Sequence, residues 1–171
     1  MAFVTPTNVA TGDVLTATRY NDDVVGNAVA LYGSQRRFAQ GTRTTDYNFT
    51  ATTVATSTDV FSSDLSWTAD GSTYKLEFFC CRLTLGGTAY ANIHLVNGAG
   101  TDLAMWSVIL TTGLQAPVHL IYYYTPSAGA QTVNVRCITP AGGGTCTLGA
   151  GAGGLGIMVP TFMNVYGPDI T

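Results

Sequence analysis

The side chains that could carry acid–base or metal chemistry are few and stand far apart in this chain. The two histidines, His94 and His119, each lie in an apolar stretch, and neither has a sequence neighbour placed as a second metal ligand or an orienting carboxylate. Most carboxylates of the second part of the chain fall at turns, where aspartate satisfies local backbone groups. Glu77 lies mid-strand beside Lys75 and is predicted to face solvent. No G-x-S-x-G motif is present. We therefore predict a protein that is not an enzyme, with a carboxylate-pair glycan hydrolase left open as an alternative.

The four cysteines do not form a metal or redox motif. Cys80 and Cys81 are adjacent, so on a strand their side chains point to opposite faces. Cys137 and Cys146 could meet across a hairpin, although free thiols that act as small buried apolar groups are the favoured interpretation. No C-x-x-C spacing occurs, and we predict no metal site.

Three glycines match the spacing of a dinucleotide-binding loop, namely Gly149, Gly151 and Gly154. That fingerprint functions only between a strand and a helix of a strand-helix-strand unit. The residues after Gly154 include Pro160 and Pro168 and leave no room for such a helix. We predict that the protein has no cofactor.

Clustered aromatic residues offer a binding surface instead. Three consecutive tyrosines, together with Trp106, could form a platform for sugar rings or for a partner protein: Tyr122, Tyr123 and Tyr124. Packing in the core or between subunits explains the same residues. A carbohydrate-binding, lectin-like module that recognises a host surface glycan is therefore a second function to consider.

The amino-acid composition limits the classes of partner that the chain is expected to bind. Charged residues are 10% of the 171 residues, against roughly 25% in an average soluble protein, and hydrophobic residues are 46%. The net charge is −3 with a single lysine, so the basic stripe that nucleic-acid binding requires is missing. No stretch reaches the roughly 18 apolar residues of a membrane helix, and we expect no membrane partner. Residues 1–16 lack a signal-peptide pattern, so synthesis in a cytoplasm is expected.

The first part of the chain reads as an attachment segment. Residues 1–15 suit an extended arm, Thr16 is a candidate helix N-cap, and Gly33 a candidate stop. One apolar stripe runs along the helix between them: Tyr20, Val24, Ala28 and Leu31. A helix this short is marginal in water alone, so the stripe must pack against something. Residues 34–46 are predicted to be a polar connector, either a solvated hinge or a contact with an acidic neighbour.

From residue 47 onward the pattern is that of β-strands separated by turns. Candidate strands lie near 47–55, 58–67, 73–84, 89–97, 103–111, 117–125, 131–139, 145–149 and 156–166. Strands at this spacing without intervening helices indicate an antiparallel sandwich or barrel.

Two strands, 103–110 and 117–124, are apolar on both faces, which a monomeric two-layer sandwich does not need. In the first, we predict that Leu103, Met105 and Ile109 fill the core while the alternate residues need a second cover. That excess apolar surface favours a subunit interface. The interface candidates are Trp106, Val108, Leu110, His119, Ile121 and Tyr123.

Several segments resemble those of tailed-bacteriophage virion proteins. The run from Thr11 to Ala17 (TGDVLTA), followed by Asn21 and a short helix, resembles their N-terminal attachment segment. Three later runs resemble jelly rolls of phage fibre, head-fibre and decoration proteins, which are similar to trimeric tumour-necrosis-factor-type domains: TYKLEF (73–78), IHLV (93–96) and NVYGP (164–168). The chain lacks the long shaft or host-recognition tip of a complete tail fibre.

These observations predict an all-β protein: an antiparallel jelly-roll sandwich at 47–171, a connector at 34–46, and an N-terminal arm with one short α-helix at 1–33. The resemblance implies a homotrimeric virion structural protein, made in the host cytoplasm, that decorates the capsid or forms a head fibre. It would contact other virion proteins of the capsid or tail. A small tail-fibre or baseplate component is the alternative.

Overall fold

A computed structural model of the chain describes residues 36–87, 90–111, 113–142, 144–150 and 160–168. The predicted arm and helix of residues 1–33 lie outside the described residues, and so does the apolar stripe of Tyr20, Val24, Ala28 and Leu31. Within the described residues the only helical element is one 3₁₀ turn at Val54–Thr56. No helix there is long and apolar enough to span a membrane.

Ten strands make up the described part of the chain, and the predicted all-β class is confirmed. They are β1 (Arg37–Arg43), β2 (Tyr47–Phe49), β3 (Leu65–Ala69), β4 (Tyr74–Thr84), β5 (Tyr90–Asn97), β6 (Asp102–Ile109), β7 (Gln115–Tyr124), β8 (Gly129–Ile138), β9 (Cys146–Gly149) and β10 (Thr161–Pro168). Every predicted strand overlaps an observed one, because turn-forming residues bound each apolar run.

The strands form two antiparallel sheets. Sheet A contains β1, β10, β4 and β7 in that order, and β9 and β2 extend it beside the far half of β4. Sheet B has the order β3-β8-β5-β6. The pairings are nested, since β1 pairs with β10, β3 with β8, β4 with β7 and β5 with β6. This nesting is the topology of a jelly roll, a long antiparallel hairpin folded over into two sheets.

Strict alternation along β4 separates the core from the surface. Tyr74, Leu76 and Phe78 point inward and are at most 4% exposed, while Lys75 and Glu77 between them are partly exposed on the other side. From sheet B, Ile93 and Leu95 of β5 meet them in the same hydrophobic cluster. The core therefore lies between the two sheets.

The predicted connector is wrong over residues 37–43, which form β1 at the edge of sheet A. Phe38 packs edge-on against Tyr74 with ring centroids 5.5 Å apart, so the strand contributes to the core. Gly41 faces inward, where an added Cβ would come within 2.6 Å of the Leu65 side chain. The strand character of this segment is hidden because its outer side carries polar residues, namely Arg37, Gln40 and Thr42. The sandwich thus begins by residue 37 rather than at 47.

The predicted orientation of β6 is also wrong. Trp106 and Val108 face the core, and the Trp106 ring lies edge-on to Tyr122 with centroids 6.3 Å apart. Met105 and Ile109, which were expected in the core, are 52% and 76% exposed. A strand that is apolar on both faces carries no alternation to specify its orientation, and burying tryptophan removes the larger apolar area from water.

Asn134 of β8 completes the sheet where the chain leading into β3 departs from regular pairing. Its amide oxygen accepts from the Phe61 backbone N–H at 3.2 Å, and its amide nitrogen donates to the Phe61 carbonyl at 3.1 Å and to an Asp64 carboxylate oxygen at 2.9 Å. The side chain thus takes the place of a paired peptide group inside the structure, where unpaired backbone groups are destabilising.

Asn134→Ala should lower the free energy of unfolding by about 2–3 kcal/mol, because it leaves the buried Phe61 N–H and C=O unpaired. Urea denaturation followed by tryptophan fluorescence measures the change. The matched control is Asn92→Ala, which removes only a side-chain pair with Ser107 at the surface and should change stability by less than about 1 kcal/mol. Equal effects of the two substitutions would contradict the bridging role.

Candidate functional site

The outward side of sheet A is the candidate site, and we call it the sheet A face. Cross-strand pairing across β1, β10, β4 and β7 aligns its side chains in three rows. The rows are Thr42-Phe162-Phe79-His119, Gln40-Asn164-Glu77-Ile121 and Arg37-Tyr166-Lys75-Tyr123.

The first row is aromatic at its centre. The rings of Phe79 and Phe162 stack with centroids 5.3 Å apart. His119 lies edge-on to Phe79 at 6.1 Å. These offset and edge-on contacts place three rings side by side on the outer surface of the sheet, where they cover the backbone of β4 and β10.

A chain of polar contacts crosses the middle of the face. His119 Nε2 lies 2.7 Å from Glu77 Oε1, and the Tyr166 hydroxyl is also hydrogen-bonded to Glu77. The Asn164 amide nitrogen donates to that hydroxyl at 3.2 Å. The Lys75 ammonium sits 4.4 Å from the centroid of the Tyr166 ring, a cation–π contact. The charges of this face are therefore largely satisfied by their neighbours on the same face.

These contacts shift the pKa values of Glu77 and Tyr166. Partial burial alone would raise the pKa of Glu77, but the hydrogen bonds from His119 and Tyr166 favour the carboxylate and bring its pKa below the ordinary value. Burial, together with the hydrogen bond to the Glu77 carboxylate, raises the pKa of Tyr166. Glu77 is thus held as an anion and Tyr166 as a neutral donor.

Apolar side chains remain exposed beside this network. Ile121 is 44% exposed and Tyr123 is 55% exposed, both on β7 at the edge of the face. Pro117 has no N–H to donate, and β4 bulges opposite it, with Cys81 and Arg82 both facing this one residue. The bulge leaves the regular part of β7 to present His119, Ile121 and Tyr123 in alternation.

The outer side of sheet B differs, because polar pairs hold it together. His94 Nδ1 lies 3.1 Å from Asp102 Oδ1, and Arg136 Nε donates to Asp59 at 2.7 Å. The segment before β3 continues along the edge of β8 beyond β3, where Ala51 accepts a hydrogen bond from the Thr139 N–H. The outer side of sheet B therefore carries polar pairs, with Met105 and Ile109 exposed on β6, whereas the outer side of sheet A carries stacked aromatic rings.

The residues that the sequence predicted for a subunit interface do not share one surface, since half lie on the outer side of sheet A and half face the core. His119, Ile121 and Tyr123 lie together on the sheet A face. Trp106, Val108 and Leu110 pack against the core instead. The expected aromatic platform is divided in the same way, because Tyr122 and Tyr124 turn inward with Trp106 while Tyr123 points outward.

Sequence reasoning missed most of the face. Phe79 belongs to β4 and pairs with His119 of β7, while Phe162 and Tyr166 belong to β10, and both strands are distant from β7 in sequence. The only signal was the Phe78-Phe79 pair, since adjacent aromatic residues on a strand must lie on opposite faces. The carboxylate partner of His119 is likewise Glu77, 42 residues away in sequence.

The cysteines are all free, and three of them are buried in the core: Cys80, Cys137 and Cys146. Burial raises the pKa of the Cys137 thiol well above its ordinary value, so this side chain is a neutral, unreactive apolar group. Cys137 and Cys146 do not form the disulfide that was considered. Among the described residues no cluster of three or more His, Cys, Asp or Glu side chains could hold a metal ion.

No family model matches the chain, and a comparison with curated proteins gives no match. Solved structures similar to it include the globular domain of zebrafish complement 1qA protein (TM-score 0.46, 10% identity, 80% of this chain and 100% of that one). Another is Eiger TNF from S. frugiperda, with a TM-score of 0.49 and 11% identity over 80% of this chain and 96% of that one. A carbohydrate-binding module from Cellvibrio mixtus lichenase 5A has a TM-score of 0.36 and 10% identity over 81% of this chain and 94% of that one. Identities this low transfer no function to the chain.

In the variant Glu77→Gln, the free energy of unfolding should decrease less in acid than it does in the wild type. A carboxyl whose folded-state pKa lies below its ordinary value of 4.5 stabilises the fold above that pH, and the contribution disappears as the pH falls through the lower value. Glutamine does not titrate, so from about pH 5 to pH 2.5 the free energy of unfolding should fall less in the variant. Urea denaturation at each pH and one protein concentration measures it. Parallel curves for variant and wild type would contradict the role of Glu77.

Proposed function

We propose that this chain is a non-enzymatic structural protein that associates with copies of itself through the sheet A face. The observation that supports this is the exposed apolar surface of Ile121 and Tyr123, continuous with the Phe79 and Phe162 rings, on a sheet with no covering layer among the described residues. Apolar patches of this kind are typical of protein interfaces.

A second copy is the partner that suits this face best. Glu77 is paired with His119 and Tyr166, and Lys75 is held over the Tyr166 ring, so these central charges have partners within the face, and Arg37 adds an exposed positive charge at its β1 edge. The chain is also poor in charge overall, at 10% of residues. A face rich in aromatic residues, whose central charges are paired with each other, is complementary to another like itself. The resemblance to trimeric tumour-necrosis-factor-type domains implies three copies.

The His–carboxylate pairs serve packing rather than catalysis in this proposal. His119 and Glu77 lie on an open sheet surface, and His94 is 5% exposed beside Asp102. A cavity in the core, lined by residues that include Leu76, Trp106 and Met163, has a volume of about 10 Å³. That space is about the size of one water molecule, far below the several hundred Å³ of a typical ligand pocket.

The setting we propose for the oligomer is a tailed-bacteriophage virion, as a capsid decoration or head-fibre protein. The TGDVLTA run at 11–17 and the amphipathic pattern that follows it carry this part of the proposal. The segment 1–33 would attach the protein to capsid or tail proteins, and the sandwich would be displayed. In the alternative, a small tail-fibre or baseplate component, the segment 1–33 would also attach the protein and the sandwich would also be displayed.

Ile121→Asp should dissociate the oligomer while leaving the sandwich folded. A carboxylate buried at the interface is strongly unfavourable, so the dissociation constant should rise at least about a hundredfold. Native mass spectrometry and sedimentation measure this. The matched control is Ile109→Asp on the outer side of sheet B, whose isoleucine is 76% exposed and should tolerate the change. A wild-type chain that stays monomeric at tens of micromolar would overturn the proposal.

Removal of residues 1–33 should abolish attachment to virions without unfolding the sandwich, because the described strands begin at Arg37. Full-length and shortened chains are incubated with particles that lack the protein, and the bound fraction is measured by sedimentation. Circular dichroism of the shortened chain supplies the folding control. Equal binding of both chains would contradict the attachment role.

A further inference from the structure

The polar contacts on the sheet A face run through the middle of an otherwise apolar surface. Asn164 is only 5% exposed, and its amide oxygen is buried without a hydrogen-bond partner. Glu77 occupies the neighbouring position on β4, and Ile121 follows on β7. A row that could hold apolar residues throughout instead contains a buried amide and a carboxylate.

The hydrogen bonds of this network have one direction. The ionised Glu77 carboxylate can only accept, so both His119 Nε2 and the Tyr166 hydroxyl donate to it. The Tyr166 oxygen then accepts from the Asn164 amide, which sets the orientation of that amide and turns its oxygen away from any partner. Four side chains from three strands thus hold each other in a single arrangement.

A self-associating face needs a feature that prevents sliding. Contacts between aromatic and aliphatic side chains are non-directional, so Phe79, Phe162 and Ile121 would tolerate several relative positions of two copies. A carboxylate hydrogen-bonded to a histidine does not, because burying Glu77 and His119 against apolar groups of a misaligned copy removes their hydration without replacing it. A buried asparagine that sets the register and number of helices in a coiled coil is the general precedent.

We propose that the network of His119, Glu77, Tyr166 and Asn164 determines the register and the number of copies in the assembly. This inference rests on the self-association proposed above. The network weakens association relative to a fully apolar face and in return destabilises misaligned assemblies. It acts as a specificity element of the interface.

The test compares full-length wild-type protein with Glu77→Leu/His119→Leu, which replaces the His–carboxylate pair by apolar residues. The Asn164 amide can still donate to the Tyr166 oxygen as it does in the wild type, so this contact is kept. Native mass spectrometry across protein concentrations should show one oligomer for the wild type. For the double variant it should show association at least as tight, distributed over two or more oligomer sizes.

Two further variants keep the test decisive. His119→Leu alone leaves the Glu77 carboxylate without one of its donors at the interface, so it should raise the dissociation constant at least about tenfold, and the second change should restore association. The control Asn92→Ala/Ser107→Ala removes a polar cross-strand pair of sheet B and should leave the oligomer distribution unchanged.

The outcomes separate the two proposals. A double variant that forms the same single oligomer as the wild type overturns the register role and leaves self-association standing. A monomeric wild type overturns self-association itself. Broadening of the distribution in the sheet B control as well would also overturn the inference, since loss of any surface pair would then have the same effect.

Discussion

The structure depends on the two-residue alternation of β4, because this strand is hydrogen-bonded to β10 and β9 on one side and to β7 on the other. One set of its side chains, with Leu76 and Phe78, forms the core against sheet B. The other set, with Glu77 and Phe79, forms the centre of the sheet A face. A slip of one residue would exchange the two sets, so the core and the candidate interface are specified together.

The two outer surfaces of the sandwich differ in the side chains that they carry. The outer side of sheet B carries polar pairs such as Arg136–Asp59, with Met105 and Ile109 exposed on its edge strand β6. Sheet A carries stacked phenylalanines and a polar network whose members pair with each other, except for the buried Asn164 amide oxygen. Exposed apolar surface of this kind is typical of protein interfaces, which is why we propose self-association there.

Sequence reasoning succeeded where alternation and turn residues gave a period to read. Each of the nine predicted strands overlaps an observed strand, and on β7 the side chains of His119, Ile121 and Tyr123 lie on one side as predicted. Sequence reasoning failed where that period was missing or masked. β6 is apolar on both faces and was assigned the reverse orientation. Two arginines, a glutamine and a threonine in β1 made an edge strand read as a connector, although Phe38 and Gly41 face the core.

The sequence by itself determined the all-β class, the positions of nine of the ten described strands and the excess of apolar surface, because these follow from local periodicity and composition. The tertiary structure decided which residues share a face. His119 meets Glu77 only because β7 pairs with β4 across 42 residues, and Tyr166 and Asn164 join them only because β10 pairs with β4 on its other side. Such non-local pairing has no signature in neighbouring residues, so the polar network in the aromatic face became visible only in the folded sheet.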